Sequence, residues 1–380
     1  MRSLLLGWAL VASPAFAHGG PEVYHVLPES PEARAVSTEG LFTQTDDAWD
    51  WVCDAAYGGG VVLAAEMSGD RVVLGTDRGL FWSDDGCTFA QGNGPDDQYV
   101  SGVSIRGDDY WATTSDTLWY STDADQWLAT EGPWDGGLRG VIASESGDTL
   151  WVFAFVEGGA EVYTGHPDTG WTTVLVDTPS SFLLVHAVDA QDRAYMSVPY
   201  AGTDQLVRID DSGVASVLVT VETAINGVTT TDGLSASLFA MGVVSSTDDG
   251  QTWSEPAGPV LTTLATHAGA QYVGTEFSQG LPPAMVDSGD GLVAWFEFDE
   301  VVGPRDCPAD SIAATECVDR WEGTQAILLG LDSPGRPDTD DDEPEPKSCS
   351  SVPMPMGGLG LLGMGILGLR RRRRVIQAPV

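Results

Sequence analysis

The chain has 380 residues, with 56 Asp and Glu against 17 Lys and Arg, for a formal net charge of −39. A surface of this sign repels phosphate, which excludes nucleic acid as a partner and disfavours anionic lipid headgroups. The single lysine is Lys347, and Arg2 and Arg370 to Arg374 lie in the two ends, so the middle of the chain is more acidic still.

Residues Met1 to Ala17 read as a secretory signal. Arg2 supplies the charge, Leu4 to Val11 the apolar core, and Ala15-Phe16-Ala17 the cleavage site, leaving His18 first in the mature chain. No cysteine follows the apolar core, so the signal is not of the lipoprotein type. His25, His166, His186 and His267 show no ligand spacing with His18 or each other, and no histidine metal centre is expected.

Beyond the signal, short runs such as Gly60-Val61-Val62-Leu63-Ala64, Arg71-Val72-Val73-Leu74-Gly75 and Thr149-Leu150-Trp151-Val152-Phe153 alternate with Gly/Asp/Ser/Thr turns. Helical patterns are almost absent. From Ser246 to Trp253 the chain reads Ser-Thr-Asp-Asp-Gly-Gln-Thr-Trp, and worn copies recur. Aligned on Asp46, Asp84, Asp123, Asp168, Asp211, Asp248 and Asp290, they are 38, 39, 45, 43, 37 and 42 residues apart. Most follow an apolar strand with a small residue in front, as in Gly40-Leu41-Phe42 and Gly79-Leu80-Phe81. An aromatic often follows, as Trp51, Phe89, Trp127, Trp253 and Trp295 do.

The full copy, with Ser246, Asp248, Gly250, Thr252 and Trp253, is a hairpin device. Its carboxylate accepts turn amides that no strand can reach, glycine supplies positive φ, and the aromatic packs between sheets. These aspartates are therefore expected to be structural. With three or four strands per unit, seven units predict an all-β, seven-bladed β-propeller over residues 18–332. Six or eight blades stay open, because Ala326-Ile327-Leu328-Leu329-Gly330 reads as a further strand.

Cys53, Cys87, Cys307 and Cys317 form an even set in an exported chain, which predicts two disulfides. Cys53 and Cys87 lie near equivalent corners of adjacent units, and Cys307 and Cys317 would close a short loop. Of three connectivities, Cys53–Cys87 with Cys307–Cys317 is the expected one. No Cys-x-x-Cys spacing points to zinc, and no EF-hand loop names calcium ligands, although structural calcium would suit so acidic a surface. No cofactor is expected.

Residues 333–348 form a Pro/Asp/Glu tract that reads as an extended, self-repelling linker. Then come Cys349 in a Ser-rich motif, an apolar run from Val352 to Leu369, and the five arginines, with 375–380 as a tail. The glycine-rich part of the run, from Gly357, would span roughly 20 Å, short of a bilayer core of roughly 30 Å. The arginines place it as a transmembrane segment with its C-terminal side cytoplasmic and the propeller outside. The order of parts in 349–374 resembles the MYXO-CTERM sorting tags of myxobacterial surface proteins. That implies cleavage near Cys349 and delivery to the cell surface; the other reading is an ordinary single-pass anchor.

The repeat itself resembles the Asp-box (BNR-repeat) propellers: sialidases, xyloglucan-type glycoside hydrolases, sortilin-type receptors and photosystem II assembly-factor-like proteins. A sialidase would need converging arginines, and Arg34, Arg106 and Arg139 are selected by no pattern. A glycosidase needs two carboxylates at a set distance, in a chain that has dozens. Trp111, Trp134 and Tyr200 could stack on sugars or serve as packing. The chain is expected to be a monomeric, exported binding or scaffold module for an envelope glycan or surface protein. The alternative is a glycoside hydrolase using channel carboxylates.

Overall fold

A computed structural model describes residues 21–330, apart from 29–31, 46–47, 145–146, 157–158, 178–182, 201, 211, 231–232, 240, 259–260, 268–269, 276–281 and 288–291. The chain divides into two units, Met1–Pro334 and Gly335–Val380, and the second lies outside the described residues. So do Ala17, Cys349 and the apolar run. Among the described residues no helix is long and apolar enough to cross a membrane.

Seven antiparallel sheets follow one another along the chain and form a seven-bladed propeller. The innermost strands are Val23–Leu27, Val62–Ser68, Gly102–Arg106, Gly137–Ala143, Leu184–Val188, Ile225–Thr229 and Leu261–His267, for blades 1 to 7 in order. The seven repeat units of the sequence correspond one to one with these blades. Arg71–Thr76 and Leu150–Val156 form second strands where apolar runs stand in the sequence.

The core is not one body but a set of layers between sheets. Trp151, Phe153 and Val162 of blade 4 pack on Ala194, Met196 and Val207 of blade 5, and similar clusters fill the other junctions. A propeller blade needs apolar side chains on both faces, which is why these strands read as near-continuous apolar runs. The turn from second to third strand is tight. Gly40 (φ 136°) and Gly79 (φ 124°) occupy it with backbone conformations that side chains rarely adopt, which explains the small residue ahead of the repeat's strand.

Ring closure differs from expectation. Blades 1 and 7 are each built from contiguous chain, and the stretch after blade 7 returns to blade 1, where Val301–Pro304 adds a fifth, parallel strand beside Ala48–Val52. The disulfides are Cys53–Cys317 and Cys87–Cys307, spanning 264 and 220 residues. The expected pairing Cys53–Cys87 with Cys307–Cys317 is therefore corrected. Ala48–Val52 carries Cys53 to the end of the sheet opposite the turn that holds Cys87, so the two do not share a corner. The returning segment spans both positions and staples blades 1 and 2 to the end of the ring. Arg305 reinforces it, with Nη2 2.9 Å from Glu32 and its backbone N–H donating to Trp51 O at 2.9 Å.

The apolar run at 326–330 is not a strand either. Ala326–Leu328 are the last residues of the helix Val318–Leu328, the one α-helix among the described residues, and Leu329 and Gly330 form the turn that ends it. Its Trp321 packs against Trp51 of blade 1, with ring centroids 5.6 Å apart.

Candidate functional site: the central channel and its two faces

Because the strands of each blade alternate in direction, the first-to-second and third-to-fourth turns share one face of the ring, here the lower face. Second-to-third turns and blade-to-blade connections share the upper face. Backbone bonds agree: Thr38 N–H reaches Glu22 O at 3.1 Å, and Phe239 N–H reaches Ala224 O at 2.8 Å, both pairs joining a connection to such a turn.

The repeat aspartates lie at the lower face. Asp248 Oδ1 accepts Ser246 Oγ–H and Thr252 N–H, both at 2.8 Å, while its Oδ2 accepts Thr252 Oγ1–H at 2.6 Å. These donors, the Thr252 hydroxyl first, pull its carboxyl down to about 2. Gly250 N–H donates to Ser246 Oγ, and Trp253 Nε1–H folds back onto Gly250 O at 3.1 Å. Asp123 does the same work in blade 3, accepting Asp125 N–H and Gln126 N–H at 2.9 and 2.8 Å.

In blade 2 the acceptor is Asp85, not Asp84. Asp85 Oδ1 takes Cys87 N–H at 2.8 Å and Thr88 N–H at 2.7 Å. Burial pushes its carboxyl up, but these amides outweigh that and hold it below the usual range. The copy there is one residue shorter, so alignment on the first of two aspartates misses the acceptor by one. In blade 5 the described acceptor is Asp210, which takes Val214 N–H at 2.8 Å; Asp211 lies outside the described residues, as do Asp46 and Asp290. Asp168 is largely exposed and stands beside His166 at 3.6 Å in a short hairpin. Trp295 packs between Trp49 and Tyr272, with centroids 5.1 and 5.2 Å away.

Sequence reasoning missed the arginines that bind these corners across blades. Arg71 of blade 2 grips Asp84 at 2.6 Å and donates to Asp123 O of blade 3 at 2.7 Å while lying over Trp82. Arg193 and Arg208 of blade 5 reach Asp249 of blade 6 at 2.9 and 2.6 Å. Fully buried Arg34 of blade 1 donates to Asp70 O of blade 2 at 3.0 Å and lies beneath Gly86. A signal existed: Arg34 and Arg71 open the second strands of their blades, and Arg193 immediately precedes one.

The seven inner strands enclose a central channel of about 660 Å³. Its wall is mainly Val, Leu, Ala, Thr and Ser, with His25, Glu66, Arg106, Arg139 and His186 as its ionisable side chains. Glu66, the one carboxylate among the described lining residues, is committed. Its Oε1 accepts Arg106 Nη1–H and its Oε2 accepts Ile105 N–H, both at 2.9 Å. Burial lowers both histidines to about 4, a carbonyl bond from Leu63 partly opposing this for His25, so both are neutral near pH 7. His186 Nε2 pairs with Ser197 Oγ at 2.9 Å.

The three arginines considered for a sugar-acid clamp have separate duties. Arg34 is under the blade 1–2 junction, Arg106 holds Glu66, and Arg139 lies over Phe155 at 4.9 Å. Trp111 is buried against Tyr120, and Trp134 packs on Tyr163 and Trp171; Tyr200 is exposed on the upper face. Among the described residues no group of three His, Cys, Asp or Glu is placed to hold a metal ion.

No family model matches the chain, and no curated protein matches it. Solved propellers do. Virginiamycin B lyase from Staphylococcus aureus is 13% identical at a TM-score of 0.56, over 68% of this chain and 93% of that one. YCF48 from Cyanidioschyzon merolae is 13% identical at 0.52, over 67% and 92%. The extracellular domain of a one-component system, BT4673, from B. thetaiotaomicron is 14% identical at 0.52, over 67% of this chain but only 37% of that chain. Identities this low establish the shared propeller fold and nothing of the chemistry.

Proposed function

We propose that this chain is an exported, surface-delivered binding platform that recognises a protein partner or an envelope glycan over the channel mouth, acting as a monomer without chemistry of its own. The observation that carries the reading is the channel wall: the one carboxylate among its described residues is spent on Arg106 and the Ile105 amide, and its half-buried histidines are neutral near pH 7. A glycosidase site needs two carboxyl groups held in different protonation states. Neighbours of the same fold include YCF48 described bound to a D1 peptide, which supports a peptide or protein partner over a glycan. The export signal and the tag resemblance at 349–374 support delivery to the surface, with Cys349 the processing point, the membrane segment transient and calcium, if bound, structural.

The test is to offer the purified protein, with calcium, envelope proteins and a panel of envelope and plant-type oligosaccharides, reading retention and products by mass spectrometry. Retention without cleavage is expected. Cleaved sugars would overturn the reading in favour of a hydrolase, and retention of nothing would remove the platform.

A further inference from the structure

The channel has the opposite sign to the rest of the molecule. Its described lining holds Glu66, Arg106 and Arg139, and its two histidines are neutral near pH 7, so the wall carries a net charge of +1 in a chain of −39. Each inner strand runs from the upper face to the lower, so position along it gives depth. Glu66 lies near the end of Val62–Ser68 and Arg106 ends Gly102–Arg106, and their ion pair at 2.9 Å neutralises the lower part. Arg139, third in Gly137–Ala143, is left at the upper mouth.

Arg139 is set apart from the other arginines as well. Of the nine among the described residues, seven hold a carboxylate; the exceptions are Arg78, which donates to Gly58 O, and Arg139. Only Arg139 of these two lines the channel. In a chain this rich in acids, an exposed guanidinium without an anion is open to one from outside.

The backbone aims it. In six of the seven blades the register between inner and second strand slips by one residue near the upper end, and the extra residues that line the channel are Leu63, Arg139, His186 and Asn226. A bulge of this kind redirects a side chain that regular pairing would place elsewhere. The Arg139 guanidinium lies 4.9 Å over the Phe155 ring, which covers one of its faces and leaves its N–H edge to bond in plane. Most of the remaining wall is apolar, and the volume of about 660 Å³ is that of a small-molecule site.

We propose that the upper part of the channel binds a carboxylate carried on an apolar body, with Arg139 as its cation. This rests on the platform reading and names the chemistry recognised at the channel mouth. Arg139 takes the two carboxylate oxygens through its paired N–H groups, His186 and Asn226 supply neutral polar groups on blades 5 and 6, and the apolar wall covers the body. A polyanion is repelled by the acidic surface along its whole length, whereas a single carboxylate meets the net positive wall at close range. The same chemistry comes from a free organic acid or from the C-terminal end of a polypeptide.

The experiment titrates the intact protein calorimetrically, in about 0.15 M salt, with phenylbutanoate, its amide and phenylbutylammonium, which share one apolar body. The carboxylate is expected to bind about tenfold or more tighter than the amide, and the ammonium more weakly than either. Arg139→Gln is expected to remove that preference, Arg139→Lys to keep part of it, and Arg78→Gln to leave it intact. The tripeptide Ala-Phe-Leu, as free acid and as C-terminal amide, identifies the source. A larger acid-over-amide preference for the tripeptide assigns the carboxylate to a polypeptide end, and a larger one for phenylbutanoate assigns it to a free acid. Equal binding of acid and amide, or a preference that survives Arg139→Gln, would overturn the proposal, and envelope material still retained would leave the platform standing without it. Carboxylate preference with no envelope material retained would remove the platform and leave the channel as a small-molecule site.

Discussion

Removing the disulfides one at a time and together tests how the ring is closed. Cys53–Cys317 and Cys87–Cys307 are nested, with separations of 264 and 220 residues. Chain-entropy reasoning gives about 5.5 kcal/mol for either bridge alone. With one in place, the other closes a loop of only roughly 45 residues, worth about 4 kcal/mol. Replacing one pair by serine should therefore cost about 4 kcal/mol, and replacing both about 9.5, more than twice the single loss. Equilibrium urea unfolding under non-reducing conditions, with tryptophan fluorescence as the probe, reads all three differences. Single replacements that leave the midpoint unchanged would refute the reasoning. They would mean that the fifth strand Val301–Pro304 and the Glu32–Arg305 contact close the ring unaided.

The other expectations concern the corners, the turns and the channel. Asp85→Ala leaves two turn amides unpaired and should cost about 1–3 kcal/mol, whereas Asp84→Ala loses a surface pair worth at most about 1 kcal/mol; thermal melts of the two variants give the ranking. Gly40→Ala would drive a Cβ against Val52 O and Trp51 Nε1 in a backbone conformation alanine rarely adopts, so a loss of more than about 2 kcal/mol should appear in the same assay. His25 and His186 have folded values near 4 against the ordinary 6.5, so between those values the unfolded chain binds more protons. Their contribution, on the order of 2–3 kcal/mol each, is complete above about pH 6.5 and lost as pH falls toward 4. His186→Gln should flatten that part of the stability profile, and an unchanged slope would show that the channel histidines are already protonated or solvated.

The fold was legible because its unit repeats. Seven turns at nearly constant spacing mark seven blades even where a copy is worn, and the positive-φ glycines Gly40, Gly79, Gly202 and Gly242 mark the opposite end of blades 1, 2, 5 and 6. Closure was not legible, because it rests on contacts more than 200 residues apart in sequence. A five-residue apolar run such as 326–330 has no period that separates strand from helix, and its role became clear only from the packing of Trp321 on Trp51. The shift from Asp84 to Asp85 has a similar origin: two adjacent aspartates look alike until one counts from Ser83. Which aromatics face solvent was the least legible part. Tyr200 is exposed, while Trp111 is buried and Trp134 half-buried, because strand alternation and the ends of turns, not residue type, decide it.

The most direct test of the platform account is photo-crosslinking on the cell surface. A photoreactive amino acid is placed at Tyr200 or Met241 on the upper face, or at Asp84 or Asp125 on the lower, and the covalent adducts are identified by mass spectrometry. The account predicts adducts to a common partner, polypeptide or glycan, from Tyr200 and Met241 and none from Asp84 and Asp125. Adducts confined to the lower-face positions, or formed equally from both faces, would contradict it.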